Sequence, residues 1–102
     1  LDAAGEKPFE VQPTAKLLGH KGAVETAVFS PDGLRVVTGG DDNDVKIWDS
    51  ATGLELLTLD GHSSQVDALA FSSDGRELIS GSTTGRVLLW PSAPWQPAPP
   101  AA

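Results

Sequence analysis

The sequence predicts an all-β protein assembled from two copies of one strand-and-turn unit. Three observations carry that prediction. Leu17–Trp48 recurs without insertion or deletion as Leu59–Trp90, an offset of 42 residues with eleven of 32 positions identical. Within each copy, short runs rich in β-branched and aromatic residues alternate with turn sequences. No window of ten or more residues carries an apolar stripe at the 3.6-residue period of a helix. A fixed period of this length marks a repeat architecture, in which each unit buries its faces only by stacking on a neighbour.

The elements follow in order. Residues 1–14 show no period, carry two prolines and read as a leader or linker. Val24–Phe29 is a first strand, closed by the tight-turn sequence Ser30-Pro31-Asp32-Gly33. Leu34–Thr38 is a second, followed by Gly39 and the polar cluster Asp41-Asp42-Asn43-Asp44. Val45–Trp48 is a third, and Ser50-Ala51-Thr52-Gly53 turns the chain into a fourth, Leu54–Leu59. The second copy gives Val66–Phe71, Glu77–Ser80 and Val87–Trp90 by the same logic. Val36-Val37, Leu56-Leu57 and Leu88-Leu89 put apolar residues on both faces of their strands, as in sheets stacked between other sheets. Residues 91–102 hold five prolines and four alanines and read as an extended tail.

Composition narrows the function classes. Seven Lys plus Arg against fourteen Asp plus Glu give a net charge of −7, which disfavours nucleic acid or an anionic membrane as partner. There is no apolar run of membrane-helix length and no signal-peptide pattern, so a soluble protein is expected, with the cytoplasm favoured and the compartment left open. Cys is absent, so neither a disulfide framework nor a thiolate metal site supplements the core. Met is absent and the chain starts at Leu1, which suggests a piece processed or cut from a larger polypeptide.

Gly19-His20, the Ser30–Gly33 turn and Trp48-Asp49, with Gly61-His62 and Trp90 in the same register, resemble the WD-repeat (WD40) pattern. The resemblance covers residues 15–90 and implies four-stranded antiparallel blades arranged as a β-propeller. It further implies a hydrogen-bonded tetrad in each blade: His20, Thr38, Asp42 and Trp48 in the first, His62, Ser80 and Trp90 in the second. There Thr84 replaces the Asp and Pro91 replaces Asp49, so the second blade is expected to be less rigid.

The ends of the chain look complementary. Ala15–Leu18 precedes Gly19-His20 as Leu57–Asp60 precedes Gly61-His62, so residues 15–18 look like an outer strand without a blade. Blade one spans 24–59, whereas blade two spans 66–90 and lacks a fourth strand, because the proline-rich tail cannot donate to a ladder. Propellers need about four or more blades. Either missing blades of a longer chain complete this one, or copies lend their 15–18 strands head to tail. A homo-oligomer is favoured, a tetramer first and a trimer next.

The resemblance also implies a partner face, formed by the loops before the first strand and between the second and third. The matching residues are Ala23, Glu25 and Asp41, with Gln65, Asp67 and Thr83. Three of the six are acidic and none is basic, so a basic peptide or protein is the natural partner; a solvated rim without a ligand is the alternative. No catalytic, cofactor or metal site is expected. The two histidines are taken by the tetrads, the Asp41–Asp44 cluster lacks calcium-loop spacing, and no glycine-rich loop opens a helix to cradle phosphate. Nor is a nucleophile with its base and oxyanion pocket evident. The P-x-x-P spacings of the tail could fit an SH3-type groove, but no cation beyond Arg86 orients them, and Trp95 alone could pack back on a blade. The expected function is a non-enzymatic module for protein–protein interaction. The alternatives are a self-assembling structural piece, or a propeller segment appended to a catalytic domain of a longer parent.

Overall fold

The computed structural model describes residues 11–92. Seven strands form two antiparallel sheets, and no helix occurs among the described residues. The first sheet runs β1 (Val24–Phe29), β2 (Arg35–Gly40), β3 (Val45–Asp49) and β4 (Glu55–Leu59) in sequence order. The second runs β5 (Val66–Phe71), β6 (Glu77–Ser82) and β7 (Val87–Pro91). Within each sheet consecutive strands are neighbours, as short turns require.

The turns explain the hairpins. Gly33 and Gly75 both stand at φ near +75° (75° and 74°), and each amide closes its turn on the Ser30 or Ser72 carbonyl at 2.9 Å. In the next turn Asn43 (φ 72°) does in blade one what Gly85 (φ 87°) does in blade two. Asparagine and glycine are the residues that tolerate this left-handed conformation.

Pro91 and Ser92, expected in the tail, belong to blade two. Pro91 pairs with Glu77 at the sheet edge, where a strand needs no N–H from it. The Ser92 amide donates to the Arg76 carbonyl at 2.9 Å and its hydroxyl to the Gly75 carbonyl. Ser50 makes the equivalent pair of bonds to Leu34 and Gly33 in blade one. By contrast, residues 15–18 form no strand here: a strand exists only against a partner, and this chain presents none to them. Of the leader, residues 1–10 lie outside the described residues, as do the remaining tail residues, with Trp95 and the P-x-x-P spacings.

The core lies between the blades. Val37, Val45 and Ile47 on one face of blade one, and Val66 and Leu78 of blade two, are fully buried. Val28 and Leu59 extend it on one side, and Leu69, Phe71 and Trp90 on the other. Blade one thus buries its back face against the front face of blade two. The closest approach is at Gly39, where a Cβ would come within 2.5 Å of Val66 Cγ1 and 3.2 Å of Thr26 Cγ2. Glycine is required there because the valine knob occupies the space a side chain would take. Gly39→Ala is expected to cost about 1–3 kcal/mol through overpacking, and Val66→Ala in the same chain to recover part of it, as measured by denaturant unfolding; independent, additive losses would refute the contact.

Candidate functional site

Each blade is pinned by one hydroxyl. In blade one the Trp48 indole N–H donates to Thr38 Oγ1 at 2.7 Å, and His20 Nε2 lies 2.6 Å from the same oxygen. An indole N–H can only donate, so Thr38 accepts from it. The Asp42 carboxylate can only accept, so His20 Nδ1 carries a proton and donates to it at 2.9–3.0 Å. Burial pushes the Asp42 carboxyl up, but the Lys21 amide, the His20 ring and the Asp44 amide outweigh it and hold it below its ordinary value. The four residues grouped by the sequence pattern meet in one chain of bonds.

Blade two repeats the hub without its anchor. Trp90 Nε1 donates to Ser80 Oγ at 2.8 Å, and His62 Nε2 lies 2.7 Å from it. His62 Nδ1 is buried without a hydrogen-bond partner. Thr84, at the place of Asp42, instead faces the Ser64 and Ser82 hydroxyls at 3.1 and 3.2 Å. Burial and the nearby Arg86 charge hold the His62 imidazole below its ordinary value of 6.5.

The loop face is built from the same register. The Asp41 amide donates to the Ala23 carbonyl at 2.8 Å, and the Thr83 amide to the Gln65 carbonyl at 3.0 Å. Each expected pair is thus tied across its loops. Strand pairing slips between Val24 and Thr26, and again between Val66 and Ala68. Glu25 and Asp67 are the extra residues of these bulges, which re-aim a side chain and interrupt the ladder. Glu25 faces Asp41, and that contact, with a further push from Asp67, raises its carboxyl above the ordinary value. Three acids therefore share one electrostatic environment at one end of the blades.

Two features escaped the sequence reading. Lys46 is buried on the front of blade one, donating to Glu55 at 2.8 Å and to Thr58 at 2.9 Å. Leu88 holds the equivalent place, so the repeat gave no signal. Ser50 and Ser92 did give one, an identity at the same 42-residue offset just past the aligned window. Among the described residues, no three His, Asp or Glu side chains converge as a metal site requires. Nor is any helix there long and apolar enough to cross a membrane.

The family profile of the WD domain, G-beta repeat, matches residues 11–49 and again 53–91. The chain belongs to the WD-repeat family. Among curated proteins it is similar to the ribosome biogenesis protein erb1 of Neosartorya fischeri, 44% identical over 50 residues. It is likewise similar to ERB1 of Saccharomyces cerevisiae, 40% identical over 50 residues. Each match covers 49% of this chain and only 6% of the relative. Among solved structures, U3-55K superposes with a TM-score of 0.73 at 30% identity, over 78% of this chain and 26% of that one. The computationally designed Ika4 protein gives 0.67 at 38% identity, over 78% and 48%.

In this WD-repeat chain the two hubs differ by one acceptor. Thr84→Asp is expected to give His62 Nδ1 that acceptor and to raise stability by about 1–3 kcal/mol, measured by denaturant unfolding at pH 7.5, roughly one unit above the free histidine value. The pH dependence has a definite sign. With His62 depressed in the folded state, the unfolded chain binds the extra proton, so its contribution is complete above about 6.5 and declines as pH falls through that value. Thr84→Asp, by stabilising the imidazolium, should flatten the decline; an equal slope in both proteins would refute the assignment.

Proposed function

We propose that this chain is a non-enzymatic protein–protein interaction module, part of a larger WD-repeat protein, whose acidic loop face takes a basic peptide or protein segment. The observation that carries this reading is the pair of equivalent bulges at Glu25 and Asp67. They interrupt the ladder at Glu25 and Asp67; Glu25 lies against Asp41 and feels the Asp67 charge, and Asp41 Oδ1 is buried without a hydrogen-bond partner among the described residues. Like charges held together are stabilised by a cation from outside, and Lys or Arg of a partner provides one. Both histidine rings are engaged inside the blades by Thr38 and Ser80, which favours a scaffold over general acid–base chemistry. One structural neighbour, 31% identical, is part of a mitotic checkpoint complex, in keeping with a partner-binding role. A soluble protein acting away from membranes and nucleic acid fits the net charge of −7.

A second reading is favoured by a different observation. Ile79, Val87 and Leu89 leave the back of blade two apolar and exposed, which suits completion of a ring by further copies, four first and three next.

Binding of a Lys/Arg-rich peptide, followed by calorimetry, is expected to weaken at least about tenfold on replacing Glu25 and Asp67 by Lys, which is about 1.4 kcal/mol. It should also weaken with added salt. Affinity unchanged by the double replacement, with the unfolding midpoint preserved, would rule out the acidic face.

A further inference from the structure

Several side chains that join blade one to blade two have counterparts 42 residues away that stand exposed on the outer faces. Val66 seats on Gly39, but its counterpart Val24 is 51% exposed. Phe71 packs on the core, whereas Phe29 is 67% exposed. On the receiving side Val37, Val45 and Ile47 are fully buried, while Ile79, Val87 and Leu89 are 39%, 59% and 63% exposed. Gly81, the counterpart of Gly39, is open: a Cβ there would meet only Ala68 Cβ, at 3.6 Å. Ala68, Ala70, Ile79, Gly81 and Val87 line an apolar groove around it.

We propose that a second copy of this chain fills that groove head to tail, its Val24 seated on Gly81 as Val66 is seated on Gly39. The proposal rests on reading the chain as an interaction module and names one partner of that module. Continuity with the interface inside the chain argues for a copy over another protein. The front of blade one carries Val24 and Phe29 at the same register positions as Val66 and Phe71. The contact is heterologous, and its repetition gives a ring where the rotation per copy closes.

One rigid placement also completes the sheet. Inside the chain β4 pairs with β3 as Leu59 opposite Val45, Thr58 opposite Lys46 and Leu57 opposite Ile47. Moved by 42 residues, the incoming copy sets Leu17 opposite Val87, Lys16 opposite Leu88 and Ala15 opposite Leu89. The matched family unit begins at residue 11 as the second begins at 53, which puts residues 15–17 in the place of β4. The step that seats the knob therefore also pairs the free edge of β7.

The test is the mass of the full 102-residue chain by sedimentation, with far-UV circular dichroism and Trp fluorescence as fold controls. The wild type is expected to assemble at micromolar concentration. Gly81→Val should raise the dissociation concentration about tenfold or more, because the added methyls take the space of the incoming valine, while the fold signals stay unchanged. Adding Val24→Ala to that variant should recover part of the association. Should Gly81→Val fail to fold, Phe29→Glu at its exposed position reads the same contact. A folded wild type that stays monomeric, or assembly that survives both replacements, overturns the proposal. Titrating the basic peptide into the Gly81→Val protein separates the readings. Binding kept while assembly is lost supports the copy contact, whereas a monomeric wild type that binds peptide overturns the copy contact alone.

Discussion

A sheet with apolar residues on both faces has no stable orientation toward water, and the organisation of this chain follows from that constraint. A soluble sheet alternates apolar and polar positions so that one face can be wet. Here Val36 and Val37 are neighbours, as are Leu88 and Leu89, so each blade has two faces to cover. The chain covers one of them with its other blade, where the back of blade one meets the front of blade two. What remains is a front face on blade one, a back face on blade two and an edge on β7. These leftovers are the two halves of the contact already made inside.

The polar features are arranged around that stacking. A four-stranded blade is thin and has no interior of its own, so its internal cohesion comes from bonds across the sheet. One hydroxyl, Thr38 or Ser80, joins an indole to an imidazole from outside the ladder and fixes the loop that enters its own blade. Asp42 extends this to the Lys21 amide at 2.9 Å, which also orders the loop leading into β1. Blade two lacks that extension and leaves a buried ring nitrogen of His62 without a partner. The difference falls in the blade that also lacks a fourth strand, so its cohesion and its edge are both left incomplete.

Much of this was legible in the sequence, and for identifiable reasons. The turns were readable because Gly33 and Gly53 supply a backbone conformation that few residues adopt. The hubs were readable because Gly-His and Trp hold fixed spacing, and spacing survives where packing varies. The bulges at Glu25 and Asp67 were not readable, since a bulge is a property of two strands and neither strand records it alone. The Lys46–Glu55–Thr58 cluster was invisible because Leu88 breaks the repeat there, and a single copy gives no pattern. The end of blade two is obscured in the sequence because proline is ordinarily a strand breaker. At an outer edge no partner needs its missing N–H, and Ser92 then anchors the chain as Ser50 does in blade one.

The two surfaces that face outward differ in physical kind, and this bears on how they can be used together. The loop face is charged, its acids drawn together by bulges, and attraction there is long-ranged and screened by salt. The blade face is apolar and shaped, with an empty position at Gly81, and works only at contact distance. The bulges lie at the ends of β1 and β5, the same strands that carry the Val24 and Val66 knobs one residue earlier. Seating a knob therefore fixes the backbone from which the neighbouring acid projects. In blade two that ordering is already present, because Val66 is buried against Gly39 beside Asp67. In blade one Val24 is exposed instead, and Glu25 is held by its contact with Asp41 of the same chain. Packing on the apolar face would therefore order the acidic face of blade one, coupling the two surfaces through a single residue step.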